Sequence, residues 1–212
     1  EKLSFPRLDL LRKDAYMTIN CVQTTRGCPH QCDFCHVTHF FGKTYRCRPV
    51  NEVIEEVKRL EGDFLVFIDD NIAGNRHYAK ELFTQLKPLK KKWASQASMT
   101  LTRDPELLKL AAESGCVSLF IGVESLSSEN LKEVNKTFNQ VFQFEEAMKA
   151  LHDHDIMILA GFIFGLDHDD EGVFERTLRF CERNRIELPT FFLLTPLPGT
   201  ALFQRMESEG RL

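Results

Sequence analysis

Positions 24–35 of the chain read Thr24-Thr25-Arg26-Gly27-Cys28-Pro29-His30-Gln31-Cys32-Asp33-Phe34-Cys35. Three of these cysteines follow the pattern C-x3-C-x2-C, and a glycine and a proline supply a loop on which three sulfurs can converge. The chain has seven cysteines in total. An odd number in a chain without a secretion signal favours a metal or redox site over a disulfide framework. Cys21, Cys116 and Cys181 fall inside predicted strands or helices, and we expect them to be small buried residues.

Thiolates in this pattern bind either an iron–sulfur cluster or zinc. A cubane cluster normally takes four thiolates, so three thiolates leave one iron open to a substrate or cofactor. The alternative is a structural zinc site completed by His30, His36, His39 or Cys47. Such zinc sites more often use two close pairs of ligands, and the spacing therefore favours the cluster.

The segment follows the first of six short apolar runs that alternate with helix-like spacing. The predicted strands are Thr18–Gln23, Phe64–Ile68, Ala97–Leu101, Val117–Val123, Ile156–Phe164 and Thr190–Thr195. Alternating strands and helices imply a mainly parallel sheet, either doubly wound or curled into a barrel. A closed eight-unit barrel usually takes about 250 residues. We therefore expect an α/β fold, a partial (β/α)6 TIM-like barrel, with its ligands at the carboxyl ends of the strands.

The composition is that of an ordinary globular domain, with 43% hydrophobic and 27% charged residues. The net charge is -4, which argues against a broad surface for nucleic acid or anionic membranes. The sequence contains neither an apolar run of about 18 residues nor the apolar core of a signal peptide. These features predict a cytoplasmic protein without a membrane span.

The chain begins with Glu1 rather than methionine, which we interpret as the start of a fragment or of a processed product. Residues 1–15 are expected to be a linker from a missing N-terminal domain. Residues 16–212 are expected to form the core domain.

The cysteine pattern, with Phe34 before its last cysteine and a βα series after it, resembles the radical S-adenosylmethionine (SAM) superfamily over residues 16–212. The resemblance implies that Cys28, Cys32 and Cys35 are the catalytic ligands of a 4Fe-4S cluster, and that Phe34 lies against the adenine of SAM. It implies an external electron donor such as flavodoxin or ferredoxin. The reduced cluster would cleave SAM to a 5'-deoxyadenosyl radical that abstracts a hydrogen from the substrate.

The resemblance also assigns roles to residues at two strand ends. Asp69 or Asp70 would meet the methionyl amine of SAM, although these two stand where many members have Gly-Gly-Glu. Glu124 and Ser125 would contact the ribose and the methionyl carboxylate, and of the two we favour Glu124. The alternatives are a helix start for the aspartates and a solvated loop for Glu124 and Ser125.

Two later segments would complete the pocket. Gly161 and Gly165 match a Gly-x-Ile-x-Gly segment whose backbone approaches the adenine. Pro196, in the Pro-Leu-Pro-Gly run after the last predicted strand, would form the final wall. Ordinary turn chemistry is the alternative interpretation of that run.

The segments Pro6–Leu11, Gln23–Pro29 and Asp69–Asn71 together resemble members of the superfamily that carry a cobalamin-binding domain ahead of the radical domain. This branch implies cobalamin-dependent methyl transfer or related C–H functionalisation, with cobalamin bound outside this chain. The runner-up is a methylthiotransferase acting on tRNA or protein, but the acidic balance makes nucleic acid an unfavourable partner. A non-catalytic iron–sulfur electron-transfer protein is the alternative from another class.

Overall fold

The computed structural model describes residues 4–16, 18–42 and 44–212. The strands of the described residues are β1 (Cys21–Val22), β2 (Thr25–Arg26), β3 (Arg46–Cys47), β4 (Phe64–Phe67), β5 (Lys92–Ala97), β6 (Cys116–Glu124), β7 (Met157–Phe164) and β8 (Leu188–Leu193). The α-helices are α1 (His36–Phe41), α2 (Val50–Arg59), α3 (Arg76–Leu86), α4 (Pro105–Glu113), α5 (Ser128–Glu133), α6 (Phe144–His152), α7 (Val173–Arg183) and α8 (Ala201–Ser208).

Six strands form one sheet in the order β1-β4-β5-β6-β7-β8. Every neighbouring pair in this sheet is parallel. A doubly wound sheet reverses its strand order at a switch point, whereas here the spatial order follows the chain throughout. Right-handed crossovers in one continuous direction place the helices on one face and curl the sheet. The predicted partial (β/α)6 barrel with mainly parallel strands is confirmed.

The helices pack on the sheet through the apolar faces that the spacing of hydrophobic residues predicts. In α2, the side chains of Val53, Ile54 and Val57 are buried on one face, as helical spacing requires. Asp104 caps α4 by accepting a hydrogen bond from the backbone N–H of Leu107 at 3.1 Å, the role expected of an aspartate before a helix. The helices therefore cover the outer face of the sheet and leave its carboxyl edge accessible.

One predicted strand is displaced in the structure. Ala97–Leu101 is wrong as a strand, because β5 ends at Ala97 and residues Met99–Arg103 form a 3-10 helix. The real strand buries Trp93, Ser95 and Ala97 on one face. The alanines and the serine of β5 are small, so the strand is weakly marked in the sequence. Met99 and Leu101 are larger and apolar, but they are buried as part of a helical turn.

The scattered cysteines divide into two groups. Cys116 and Cys181 are buried, as predicted. Cys21 is exposed, and the prediction that it is buried is wrong. It lies in β1, an edge strand of the sheet in which Cys21 is exposed and Val22 is buried.

The N-terminal segment packs against α2 and the loop that follows it. The guanidinium of Arg59 lies 4.1 Å from the centre of the Phe5 ring, and Lys13 forms an ion pair with Glu61 at 2.6 Å. The assignment of residues 1–15 as a linker stays a prediction, and residues 1–3 lie outside the described part. None of the helices that the structure describes is long and apolar enough to cross a membrane.

Candidate functional site

The cysteine segment leaves β1 and is held in place by Asp69 at the end of β4. The buried carboxylate of Asp69 accepts hydrogen bonds from the backbone N–H of Thr24 at 3.1 Å, from the Thr24 hydroxyl at 3.0 Å and from the Thr25 hydroxyl at 2.5 Å. The backbone N–H of Thr25 donates to the same carboxylate. Asp69 therefore fixes the direction in which the loop departs from the sheet.

The loop then turns through Gly27, whose φ is +91°. A side chain at this position would collide with the backbone carbonyl of Thr44. Glycine is therefore required both by the backbone conformation and by the close approach of another segment.

Cys28, Cys32 and Cys35 line one cavity at the carboxyl edge of the sheet. Burial raises the pKa of all three thiols, and it raises the pKa of Cys32 to about 12. The thiols are therefore protonated at neutral pH until a metal displaces the proton. The segment thus supplies three sulfur donors to one cavity, with Cys32 buried and Cys28 and Cys35 partly buried.

The arrangement bears on the type of metal. In the part of the chain that the structure describes, no three His, Cys, Asp or Glu side chains are placed to hold a single metal ion. A cubane cluster binds each thiolate through a different iron. Of the residues considered as a further zinc ligand, His30 lines the cavity whereas Cys47 is exposed in β3. Three thiols that line one cavity are a donor set that fits such a cluster.

A buried ion pair lies beside the thiols. The Lys136 ammonium donates to the Glu124 carboxylate at 2.7 Å, and their side chains are 10% and 11% exposed. Burial alone would lower the pKa of Lys136, but the nearby negative groups, Glu124 above all, raise it overall. Glu124 adopts a φ of +67°, and Gly122 leaves room for its carboxylate. This backbone conformation turns the last side chain of β6 into the cavity.

Aromatic rings flank the ammonium group. Lys136 Nζ lies 5.8 Å from the centre of the Phe34 ring and 5.4 Å from that of Phe138. Phe138 in turn stacks on His30, with ring centres 3.6 Å apart. All four residues line the cavity. Sequence reasoning identified Phe34 but missed Lys136 and Phe138, which lie in the loop after α5 and carry no motif.

The two candidate aspartates have different surroundings. Asp70 lines the cavity and accepts a hydrogen bond from the backbone N–H of Gly27 at 3.3 Å. Burial raises its pKa. Asp69 is occupied by Thr24 and Thr25 and is not among the residues that line the cavity. A ligand in the cavity therefore meets Asp70.

Asn71 follows directly and is also buried at the cavity wall. Its side-chain oxygen accepts the backbone N–H of Ser98 at 3.2 Å, and its amide nitrogen lies 3.9 Å from Cys28 Sγ and 3.4 Å from Ser98 Oγ. The sequence marks Asn71 as part of the second strand end but assigns it no role.

The remaining predicted positions lie outside the cavity lining. The hydroxyl of Ser125 accepts hydrogen bonds from the backbone N–H of Ser127 and from the side-chain amide of Asn130 in α5. Gly161 is on the inner face of β7, where a side chain would approach the Phe120 ring to 2.9 Å. Gly165 follows β7 with a φ of +91°, and Pro196 is in the loop after β8.

The loop after β8 returns to the cysteine segment. A methyl group at Gly199 would lie 2.5 Å from His39 Nε2 in α1. The backbone N–H of Leu202 in α8 donates to the carbonyl of Asp33 at 3.0 Å. The last strand connection therefore supports the thiol loop from the open side of the barrel.

Comparison with known proteins identifies the same region. The profile of the Radical SAM superfamily matches residues 22–181. The bacteriochlorophyllide d C-12(1)-methyltransferase of Chlorobaculum tepidum is 37% identical over 92% of this chain, which spans 44% of that protein. The hopanoid C-2 methylase of Rhodopseudomonas palustris is 31% identical over 98% of this chain and 41% of that protein. The chain thus spans less than half the length of these relatives.

The fold has a counterpart among solved structures. The radical S-adenosylmethionine methyltransferase TsrM from Kitasatospora setae, solved with cobalamin and a [4Fe-4S] cluster bound, superposes with a TM-score of 0.82 at 17% identity. The match covers 90% of this chain and 39% of that one. At this level of identity the likeness establishes the fold, and the site rests on this chain's own residues.

Proposed function

The chain belongs to the radical SAM superfamily, and from this premise we propose that it is the radical core of a cobalamin-dependent methyltransferase. The observation that carries the proposal is the cavity in which the three thiols of the cysteine segment meet Asp70, Glu124 and Lys136. Members of the superfamily use a 4Fe-4S cluster and SAM. The cavity offers sulfur donors for the first and charged groups of both signs for the second.

Cys28, Cys32 and Cys35 would hold the cluster as thiolates. When bound, the reduced cluster supplies the electron that cleaves the sulfonium of SAM. The thiols must release their protons to bind the cluster, and the positive charge of Lys136 stabilises the negative charge of the thiolates that result. Its ammonium acts on all three thiols in the direction that favours the thiolate.

Asp70, Glu124 and Lys136 would orient SAM. Its methionyl group carries one ammonium and one carboxylate, and Asp70 would accept hydrogen bonds from the ammonium. Lys136 would pair with the carboxylate, and Glu124 would accept from the ribose hydroxyls. Because Glu124 and Lys136 already hold each other at 2.7 Å, both are oriented before the ligand arrives.

The walls of the cavity would exclude water from the reacting groups. Phe34 offers a flat apolar surface to the adenine, and Phe120 and Phe138 also line the cavity. Charged interactions strengthen as water is displaced. These residues therefore act through position and exclusion rather than through proton transfer.

The methyl-transfer branch rests on the named relatives. Two of them are methyltransferases or methylases, and the solved TsrM structure contains cobalamin. We infer that cobalamin binds to a part of the full-length protein before Glu1 and that residues 16–212 form the radical core. The electron donor would be a flavodoxin or ferredoxin. The cytoplasm, where thiols are kept reduced, suits such a site.

Anaerobic reconstitution of the protein with iron and sulfide tests the core of this proposal. We expect about four iron and four sulfide per chain, the ligation typical of a cubane, and slow formation of 5'-deoxyadenosine after reduction in the presence of SAM. Cys28→Ala, Cys32→Ala and Cys35→Ala should each prevent cluster assembly. Cys116→Ala is the matched control, because Cys116 is buried away from the cavity.

Different results would reject different parts. Stoichiometric zinc without visible absorption would reject the cluster. An intact cluster that neither binds nor cleaves SAM would favour an electron-transfer protein. Turnover of tRNA by the full-length protein without cobalamin would reject the cobalamin branch and favour a methylthiotransferase.

A further inference from the structure

Of the three cysteines that line the cavity, Cys28 receives a hydrogen bond from a side chain that the structure describes, and the donor is Asn71. Its amide nitrogen lies 3.9 Å from Cys28 Sγ. Asn71 is 1% exposed, so solvent does not compete for this donor. Cys28 therefore differs from Cys32 and Cys35 in having a fixed side-chain donor beside its sulfur.

The orientation of the amide follows from its other contacts. The backbone N–H of Ser98 donates to the amide oxygen of Asn71 at 3.2 Å. Because that contact requires an acceptor, it places the oxygen toward Ser98 and turns the –NH2 group toward Cys28 Sγ and Ser98 Oγ. The donor, rather than the acceptor, of the amide faces the sulfur.

The backbone of Asn71 is fixed as well. Its carbonyl accepts the Tyr45 hydroxyl at 2.8 Å and the backbone N–H of Gly74 at 3.0 Å. The next residue, Ile72, donates its backbone N–H to the carbonyl of Gln96 at 3.0 Å. Contacts from the end of β5 and from the segment before β3 thus hold the amide in one position.

We propose that Asn71 is a positioning residue that acts through Cys28 and raises the reduction potential of the cluster bound by the three thiols. The inference rests on the proposed function, since it needs a cluster on Cys28. Reduction adds negative charge that spreads onto the ligating sulfurs. A hydrogen bond to a ligating sulfur stabilises the more negative, reduced state more than the oxidised state. The effect would ease delivery of an electron by the external donor.

The surroundings of Cys28 favour this role over SAM binding. An ammonium group needs an acceptor, and the amide oxygen of Asn71 is taken by Ser98. Asp70, the preceding residue, supplies a carboxylate in the same cavity. At the same strand end, Asp70 would thus accept from the SAM ammonium, and Asn71 would donate to the sulfur of Cys28.

The test is the midpoint potential of the reconstituted cluster, measured by anaerobic redox titration followed by electron paramagnetic resonance. Asn71→Asp keeps the shape of the side chain and the acceptor for Ser98 but removes the donor to sulfur. We expect its midpoint to shift to lower potential at unchanged iron and sulfide content. Asn71→Ala should shift the midpoint in the same direction by a smaller amount, because it adds no negative charge.

The matched control is Asn130→Ala. Asn130 is also fully buried, but its amide donates to Ser125 and Asp169. Its midpoint should equal that of the unsubstituted protein, even if its stability falls. An unchanged midpoint in a cluster-loaded Asn71 variant would overturn the proposal. If Asn71→Ala fails to hold a cluster, Asn71→Leu decides, because it keeps about the same side-chain size and removes the donor without adding a charge. Failure of the unsubstituted protein to assemble any cluster would reject the proposed function itself.

Discussion

The ammonium of Lys136 lies 2.7 Å from the carboxylate of Glu124, and both side chains are nearly buried beside the three cavity cysteines. Twelve positions separate the two residues in the sequence. Glu124 ends β6, whereas Lys136 follows α5 and is held by a hydrogen bond from its backbone N–H to the carbonyl of Leu131 at 2.7 Å. The pair places one charge of each sign in the cavity, which the three thiols and Asp70 also line.

Breaking this pair should destabilise the fold. Lys136→Met leaves the Glu124 carboxylate buried without its partner, and such a loss typically costs about 3–5 kcal/mol. The double variant Lys136→Met with Glu124→Gln should lose less than the sum of the single changes, because no unpaired charge remains. Urea denaturation of the metal-free protein measures both. Lys149→Met, which removes an exposed pair with Asp153, should have little effect. A double variant whose loss of unfolding free energy equals the sum of the two single losses would contradict the coupling.

Asp69 and Asp70 should respond differently to substitution. Asp69→Asn places an amide against the donors of Thr24 and Thr25, and each buried donor left unpaired costs about 1–3 kcal/mol. We expect a lower free energy of unfolding and a lower cluster content.

Asp70→Asn should retain the cluster and weaken SAM binding by about 1–3 kcal/mol, the value typical for loss of a charged hydrogen-bond partner. Equilibrium binding of SAM to the reconstituted variants measures this difference. Equal cluster loss in the Asp69 and Asp70 variants would show that Asp70 is also structural.

The metal-free thiols should react slowly with alkylating reagents. A pKa of about 12 for Cys32 leaves a thiolate fraction on the order of 10⁻⁴ at pH 8. Because the raised pKa favours the neutral thiol, alkylation should speed up about tenfold per pH unit between pH 8 and pH 10. Timed iodoacetamide labelling with peptide mass spectrometry follows Cys32 beside exposed Cys21. Labelling of Cys32 as fast as that of Cys21 at pH 8 would contradict the assignment.

The contact between Gly199 and His39 predicts a strong dependence on glycine. Gly199→Ala meets both an unfavourable φ of +87° and the His39 ring at 2.5 Å. Gly210→Ala is the matched control, since its φ is +66° and nothing lies within 4 Å of an added methyl group. The control should lose about 1–2 kcal/mol from backbone strain alone. Gly199→Ala should lose more, and His39→Ala should restore part of the difference. Equal losses in thermal denaturation would show that the contact relaxes freely.

Much of the fold could be predicted because strand and helix periods are local. The runs near Phe64, Val117 and Ile156 lie within β4, β6 and β7, or within one residue of them. The run Ala97–Leu101 misled because Met99 and Leu101 are buried from a 3-10 helix rather than from a strand. In a short segment, two apolar residues at positions i and i+2 fit either a strand or a helical turn, so their spacing does not distinguish the two.

The site, like the fold, has features that the sequence predicts and features that depend on packing. The spacing of Cys28, Cys32 and Cys35 is a property of the chain, and one loop carries all three sulfurs to the cavity. For Asp69 and Asp70, the sequence indicates a strand end but leaves open which carboxylate faces a ligand. Thr24 and Thr25, more than forty positions away, occupy Asp69 and thereby leave Asp70 to the cavity.

The sequence by itself determined the thiol motif, the alternation of strands and helices, and the strand ends beside which the cavity lies. These features depend on the order of neighbouring residues. The tertiary structure alone decided that Lys136 pairs with Glu124, that the donor of Asn71 faces Cys28, and that Gly199 makes room for His39. The physical reason is that each of these contacts joins residues from different elements. Their distances are set by how the sheet curls and how its loops pack.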